Sequence, residues 1–315
     1  MSAVLDEKPL EGDVMPALGV HHDIPAERYH RGPGMNKHGL DLIRECPARY
    51  VFEKANPRPS TPAMVFGSAL HCLVLEPDVF PEQYIRPPKD MPRKPTDAQR
   101  NAKKPSDATL LQIAAYDAWV TKWEAENAGK IIISDQSDPD KGVWGMSDWD
   151  KLHAMRDSVM RHEIASIILA DSINELTMYW MDPDTGRLCR GRADAYNEAH
   201  GIMADLKSAN SAGMSDFSRA VHDLRYDVQD AWYTDGARRC DLPVAAFMFI
   251  AVEKEPPFLC ACYQLEPNWK RIGRSKYRQD MQVFDQCKRT GEWPGYTPPL
   301  RDLVTPGYAQ FSPVY

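Results

Sequence analysis

The chain has no Cys-x-x-Cys pair. Its seven cysteines, Cys46, Cys72, Cys189, Cys240, Cys260, Cys262 and Cys287, are scattered and odd in number. That excludes a disulfide framework and a zinc ribbon, and leaves the thiols as small buried hydrophobes. No apolar run approaches the roughly 20 residues of a membrane-spanning helix. The acidic, polar stretch Met1 to Asp13 carries no signal-peptide pattern. A cytoplasmic protein with no membrane partner is expected. Positive charge is not in excess, since the net charge is −7. There is thus no global mark of a nucleic-acid binder, although a local basic lining around an acidic site is enough to hold a polyanion. Neither G-x-G-x-x-G nor a Walker lysine loop occurs, and no Ser or Cys sits in a motif for nucleophilic catalysis. Asp138-Pro139-Asp140 with Gly142 begins like a calcium loop, but Trp149 stands where the bidentate Glu belongs.

What remains is an ordinary globular composition. Of 315 residues, 43% are apolar and 26% charged, enough for a substantial core in one large domain or two small ones. Met1 to Gly19 reads as a leader without fixed structure. Met35 to Tyr50 has helical spacing, with Asn36 as N-cap. A second helix is expected from about Ala63 to Leu75, stopped by Pro77. Arg86 to Lys104 is rich in Pro, Lys and Arg and is expected to be an extended basic loop. Helices are expected over Ala108 to Ala128, Asp148 to Leu169, Ser215 to Arg239 and Pro267 to Cys287. Strands are expected at Glu175 to Trp180, Arg187 to Asn197, Ile202 to Lys207, Ala245 to Val252 and Phe258 to Leu265. Lys288 to Tyr315 reads as a Pro-rich tail. This order suits a mixed α/β single domain.

The densest chemistry lies in Gly191 to Tyr196 and Ile202 to Lys207, two strands joined by a reversal at Asn197 to Gly201. A loop symmetric about Ala199 and His200 puts Asp194 opposite Asp205, with Cβ atoms about 5 Å apart. Like charges so placed destabilise each other, and a cation between them is the natural remedy. Lys207, two residues beyond Asp205, points to the same face. Ile202, Ala204 and Leu206 face the other way, into a core. Two carboxylates and a lysine on an otherwise buried strand suit a metal site for phosphate chemistry.

Alone, Asp-x-Lys occurs by chance in most chains of this length. His71, four residues after Gly67 on an apolar helix, alone reads as a satisfied core histidine. Gln229 and Tyr233, at i and i+4, present to one helix face, which alone reads as a solvated Gln beside a half-buried Tyr. Together, Gly67 to His71, Arg192-Ala193-Asp194, Asp205-Leu206-Lys207 and Gln229 to Tyr233 form an ordered set: G-x-x-x-H, R-x-D, D-x-K, Q-x-x-x-Y.

That set resembles the RecB/RecE branch of the PD-(D/E)xK nucleases, and the chain is similar to the RecE (exodeoxyribonuclease VIII) nuclease domain of phages and prophages. Met35 to Leu40 with Cys46-Pro47, Gly67 to Pro77, and Glu175 to Lys207 carry the likeness, which covers roughly Gly19 to Pro294. Two positions depart from the pattern. Ala193 replaces the usual proline, and Asp205 stands where many relatives have Glu.

The resemblance implies an α/β, restriction-endonuclease-like (PD-(D/E)xK) core: a central mixed β-sheet flanked by helices, spanning residues 20–294, with 86–104 as a basic insertion and 295–315 as tail. It implies Mg²⁺, with Mn²⁺ possible, held by His71, Asp194, Asp205 and the Leu206 carbonyl. The oxygens are hard ligands of the kind magnesium prefers. Lys207 would position or help deprotonate the attacking water. Gln229 and Tyr233 would hold the DNA backbone or the lysine, and Glu175 would support the ligands from behind. Arg192, counted onto the face of Asp194, would contact phosphate or balance the acids. Arg93, Lys94, Lys103 and Lys104 would track DNA or merely be solvated, and the basic residues of the last helix, Lys270 to Arg278, form a second such patch.

The implied activity is exonucleolytic hydrolysis of linear duplex DNA, 5′→3′, leaving 3′ single strands. DNA ends, a ring-shaped homo-oligomer and a single-strand annealing protein are the implied partners. Some relatives hold an iron–sulfur cluster, but the late cysteines here lack the tight spacing, so none is expected. A structure-specific or flap endonuclease and a non-catalytic DNA-binding subunit remain alternatives.

Overall fold

A computed structural model describes residues 16–296, except Asp23, Lys89 and Asp90. Most of the expected leader and all of the tail beyond residue 296 lie outside the described residues. In chain order the strands are β1 (Gly19–His21), β2 (Tyr84–Ile85), β3 (Ile131–Ile132), β4 (Ile173–Met181), β5 (Leu188–Asn197), β6 (Ile202–Ala209), β7 (Ala246–Glu253) and β8 (Cys260–Gln264). Six of them form one sheet in the order β1-β4-β5-β6-β7-β8, while β2 and β3 make a separate parallel pair. Within the large sheet only β6 and β7 run parallel. That pair needs a crossover, supplied by the helices Met214–Asp223 and Tyr226–Arg239. Gly19, expected to end the leader, opens edge strand β1 and pairs with Tyr179.

Each sheet face carries its own core. On one, Leu40, Trp180, Trp232, Phe247, Phe249 and Phe284 pack beneath helices Lys37–Glu45, Tyr226–Arg239 and Pro267–Thr290. On the other, Leu70, Leu152, Met155, Ile168, Leu206 and Ile250 pack beneath helices Pro62–Leu75, Asp148–Arg161 and Glu163–Leu169. Among the described residues, no helix is long and apolar enough to cross a membrane.

Three segments expected as single helices are each two. Met35 to Tyr50 divides into Lys37–Glu45 and Pro47–Ala55, because Pro47 lacks the N–H to continue a helix but is pre-set to begin one. Asp148 to Leu169 divides at His162, whose extended backbone ends the first helix and whose Nδ1 accepts from the Ala165 N–H at 3.3 Å to cap the second. Ser215 to Arg239 divides at Arg225, which adopts φ 55°. That left-handed backbone costs a non-glycine residue about 1–2 kcal/mol. It is held there by Asp41, 3.0 Å from the guanidinium, and by Asp280. The expected extended basic loop contains a helix, Asp97–Arg100, closed by a capping box between Thr96 and Gln99.

Candidate active site

The β5–β6 ladder runs through Asn197↔Ile202, Tyr196↔Met203 and Ala195↔Ala204, and stops there. The next pair in that register is Asp194 and Asp205. At this point the strands part, and a carboxylate replaces the missing ladder acceptor: Asp194 Oδ2 accepts from the Leu206 N–H at 2.7 Å. The β4–β5 ladder likewise skips Glu175 and Asp194, between Asn174↔Ala195 and Leu176↔Ala193. Glu175 has φ 54°, in a region that non-glycine residues seldom occupy. The pleat slips by one residue here. Ile173 and Leu176, three apart, pack on the same core, as do Ala193 and Tyr196, while Ala195 joins the opposite core. Arg192 and Asp194, which counting by twos places on one face, still line one cleft. The Asp194 carboxylate lies in the gap between the strands.

Both helical layers reach this gap. From one comes His71, on the helix Pro62–Leu75, which starts with Thr61 accepting from the Met64 N–H and with Pro62 in its first turn. Leu70, Leu73 and Val74 are buried and fix the rotation of that helix. His71 Nδ1 then lies 3.3 Å from Asp194 Oδ2, and the ring is hydrogen-bonded to the Leu206 backbone. Burial lowers the His71 pKa, outweighing the raising influence of Asp205, so the ring is neutral at pH 7.

From the other layer comes Gln229. Two glycines let the helix Tyr226–Arg239 settle closely on the sheet. A Cβ at Gly236 would lie 2.8 Å from the Trp180 ring, and one at Gly191 would lie 3.2 Å from the Tyr233 ring. Gln229 Nε2 thereby donates to Asp205 Oδ1. Asp205 Oδ2 lies 2.5 Å from Lys207 Nζ. The two form an ion pair, and Oδ2 is buried with no other donor among the described residues. The Lys207 ammonium also stands 4.8 Å from the centre of the Tyr226 ring. Burial pulls the Lys207 pKa down, but Asp205 and Asp194 outweigh it and hold the ammonium charged.

Negative charge is in surplus. Burial, then the Asp205 charge, pushes the Asp194 carboxyl well above the usual range. Burial, then Asp194, lifts Glu175 to about 7. Lys207 offsets Asp205, and Arg192, 3.3 Å from Glu175, offsets Glu175. Among the described residues Asp194 has only the neutral His71 ring as an ion-pair neighbour. The uncompensated Asp194 and the buried Asp205 Oδ2 fit a divalent cation. The donor kinds fit as well: carboxylates and the Leu206 carbonyl for Mg²⁺ or Mn²⁺, with an imidazole beside them. Among the described residues, no three His, Cys, Asp or Glu side chains already close round a point as ligands do.

A profile of the PDDEXK-like domain of unknown function (DUF3799) matches residues 39–298. The chain belongs to this family. The crystal structure of a candidate exonuclease from Eubacterium rectale superposes on it with a TM-score of 0.54 at 13% identity, covering 90% of this chain and 96% of that one. At that identity the likeness shows the fold, which is the α/β restriction-endonuclease-like one. A second solved structure, SSO0001, covers 38% of this chain and 55% of its own at 14% identity, and its TM-score of 0.27 carries no argument. No curated protein matches.

Two clefts of the PDDEXK-like domain flank the gap. One, about 650 Å³, is lined by Gly67, His71, Glu175, Arg192 and Asp194, and also by His30. The other, about 540 Å³, begins at Lys207 and Tyr226. The remaining expected residues fall elsewhere. Tyr233 is 9% exposed, with its hydroxyl on the Arg192 backbone. It steadies β5, and the ring beneath Lys207 is Tyr226 instead. Arg192 is 7% exposed; it donates to Thr177 Oγ1 at 2.8 Å and to the Ile24 carbonyl, and covers the Tyr29 ring. It balances Glu175 and offers little to a phosphate.

Arg93, Lys94, Lys103 and Lys104 are exposed and line neither cleft. In the last helix Lys270 pairs with Asp230 at 3.2 Å, Arg274 with Asp235 at 2.6 Å and Lys276 with Asp227 at 2.6 Å, so these members of the expected basic patch are already matched. Tyr226 is the residue that pattern reading missed. Its signal was present, one helical turn before Gln229 on the same face.

Proposed function

We propose that this PDDEXK-like domain hydrolyses phosphodiester bonds of DNA with the help of Mg²⁺ or Mn²⁺. The observation that carries this reading is the meeting of His71, Asp194, the Leu206 backbone, Asp205 and Lys207 in one gap where β5 and β6 part. A bound divalent cation would supply an acidified water and charge neutralisation at the phosphate. Asp194, Asp205 and the Leu206 carbonyl would hold it, with His71 beside them. Lys207, held cationic, orients the attacking water by hydrogen bonding and faces the charge that grows on the phosphate oxygens. Gln229 fixes Asp205 by donating to Oδ1, so that Oδ2, which faces Lys207, is the oxygen that would turn to the ion. Glu175 and Arg192 form a neutral pair on the cleft wall.

The ordered motifs shared with RecE-type nucleases support a finer reading: an exonuclease that enters at linear duplex ends, runs 5′→3′ and leaves 3′ strands. The same resemblance supports a ring-shaped homo-oligomer working with a single-strand annealing protein.

Digestion of linear duplex labelled at either the 5′ or the 3′ end tests this, with Mg²⁺, with EDTA, and with a closed circle alongside. Early release of 5′-terminal nucleotides, dependent on Mg²⁺ and sparing the circle, is expected. Cutting of the circle replaces the exonuclease with an endonuclease. Absence of cleavage with any divalent metal overturns the nuclease reading.

A further inference from the structure

The groove that starts at Lys207 continues along the end of β6, past Ser208 and Asn210, to Lys254 at the end of β7, and is walled by the helix Met214–Asp223. Most charges bordering it are already matched inside the protein. Asp216 pairs with Arg219 at 3.4 Å, while Asp223 lies 2.9 Å from His222 Nδ1 and keeps its negative charge beside a neutral ring. Beside Lys254, Glu253 accepts from the Ala212 N–H at 2.9 Å, and Glu255 pairs with Lys151 at 2.7 Å. Lys254, half-buried, has no ion-pair partner among the described residues, and the side chains of Ser208 and Asn210 have no hydrogen-bond partner among them. After internal pairing, the Lys254 cation and two neutral donors face a polar groove that the Asp223 carboxylate also lines.

The cleft on the other side of the gap has the opposite character. Its wall carries Glu76 and Asp194, with Glu175 balanced by Arg192. A polyanion therefore meets the Glu76 and Asp194 carboxylates on one side of the gap and the unpaired Lys254 ammonium on the other. A groove of about 540 Å³ lies in the size range of sites that bury one small ligand. That is room for about one nucleotide of a single strand.

We infer that Lys254, with Ser208 and Asn210, forms a phosphate subsite that seats the backbone of a single DNA strand next to the scissile position. This rests on the nuclease reading for the word scissile, but the subsite can be tested by binding alone. The probe is a short fluorescein-labelled single strand, its anisotropy titrated with full-length protein in EDTA between about 50 and 200 mM salt. Cleavage of linear duplex in Mg²⁺ is measured in parallel.

Lys254→Ala is expected to weaken binding and to lower the slope of log K against log salt by about 0.7, the share of one phosphate contact on a single strand. Lys254→Arg restores the slope. Asn210→Asp, at an exposed position, weakens binding by adding a negative charge. Lys122→Ala, on the distant helix Asp107–Glu126, matches the wild type. An unchanged slope in Lys254→Ala, with the wild type binding, overturns the subsite and leaves the nuclease reading intact. The altered slope in a protein that never cleaves upholds the subsite and overturns the nuclease reading. A wild type that does not bind single strands overturns the subsite whatever it cleaves.

Discussion

The carboxylate of Asp194 accepts a hydrogen bond from the Leu206 N–H at 2.7 Å, where a strand carbonyl would otherwise have stood. One residue thus has two tasks: its oxygen completes the sheet, and its charge serves the site. The tasks separate on substitution. Asp194→Asn keeps an acceptor for Leu206 and removes a charge that burial and Asp205 disfavour. The variant is expected to unfold at a higher denaturant midpoint than the wild type at pH 7 and to cleave no DNA. A midpoint below the wild type's would show that the charge, and not only the oxygen, holds β5 to β6.

Lys207 pairs with Asp205 on the same strand face and is not among the expected ligands. Lys207→Ala should lower single-turnover cleavage by roughly 10²–10⁴-fold while Mg²⁺ binding by calorimetry persists. Asp205→Ala should remove both. Retained cleavage in Lys207→Ala would take that lysine out of the chemistry.

Gln229 is 6% exposed and its amide donates to Asp205 Oδ1. Gln229→Ala leaves a buried carboxylate oxygen without a donor, a loss of about 1–3 kcal/mol. Gln229→Glu, which sets a second carboxylate against the first, should be worse at neutral pH. Guanidinium unfolding at pH 7 ranks the three proteins, and equal stabilities would mean that solvent replaces the amide.

Asp230 is buried between the helices Tyr226–Arg239 and Pro267–Thr290. Burial raises its carboxyl from 3.8 to about 6, against the pull of Lys270. The folded protein therefore holds this proton over a range where the unfolded chain has lost it. The stability it brings is complete below about pH 4 and fades as pH rises through about 6, by roughly 3 kcal/mol. Asp230→Asn should lack this decline. Denaturation curves of both proteins at pH 4 and 6.5 should differ more at the higher pH, with the variant the more stable there. Parallel pH profiles would show that Lys270 fully compensates the charge.

Much of this was legible in the sequence where the period of side chains is regular. The order of strands, the β5–β6 register and the placement of Asp205 and Lys207 on one face follow from alternation around a five-residue turn, because a shift of one residue would bury the wrong side. The parting of β5 and β6 at Asp194 escaped that logic, since the pleat slips where Glu175 takes a left-handed backbone, and no propensity marks a glutamate for that. Arg225 escaped for the same reason; its conformation is set by Asp41 and Asp280, far away in the chain. The basic residues of the last helix looked free because their partners, Asp227, Asp230 and Asp235, lie on another helix. Composition reports how many charges exist, not which are already matched.

Gly67 sits inside the helix Pro62–Leu75, and nothing lies within 4 Å of the place its Cβ would occupy. Packing does not require it, and a glycine there costs about 1 kcal/mol relative to alanine. It borders the cleft of His71 and Asp194, so the empty space belongs to whatever enters. Gly67→Ala should therefore strengthen the fold by up to about 1 kcal/mol, and Gly67→Leu should slow turnover without weakening it. At this position the protein gives up durability for access, and thermal melting and cleavage rate, measured on the same variants, should move in opposite directions.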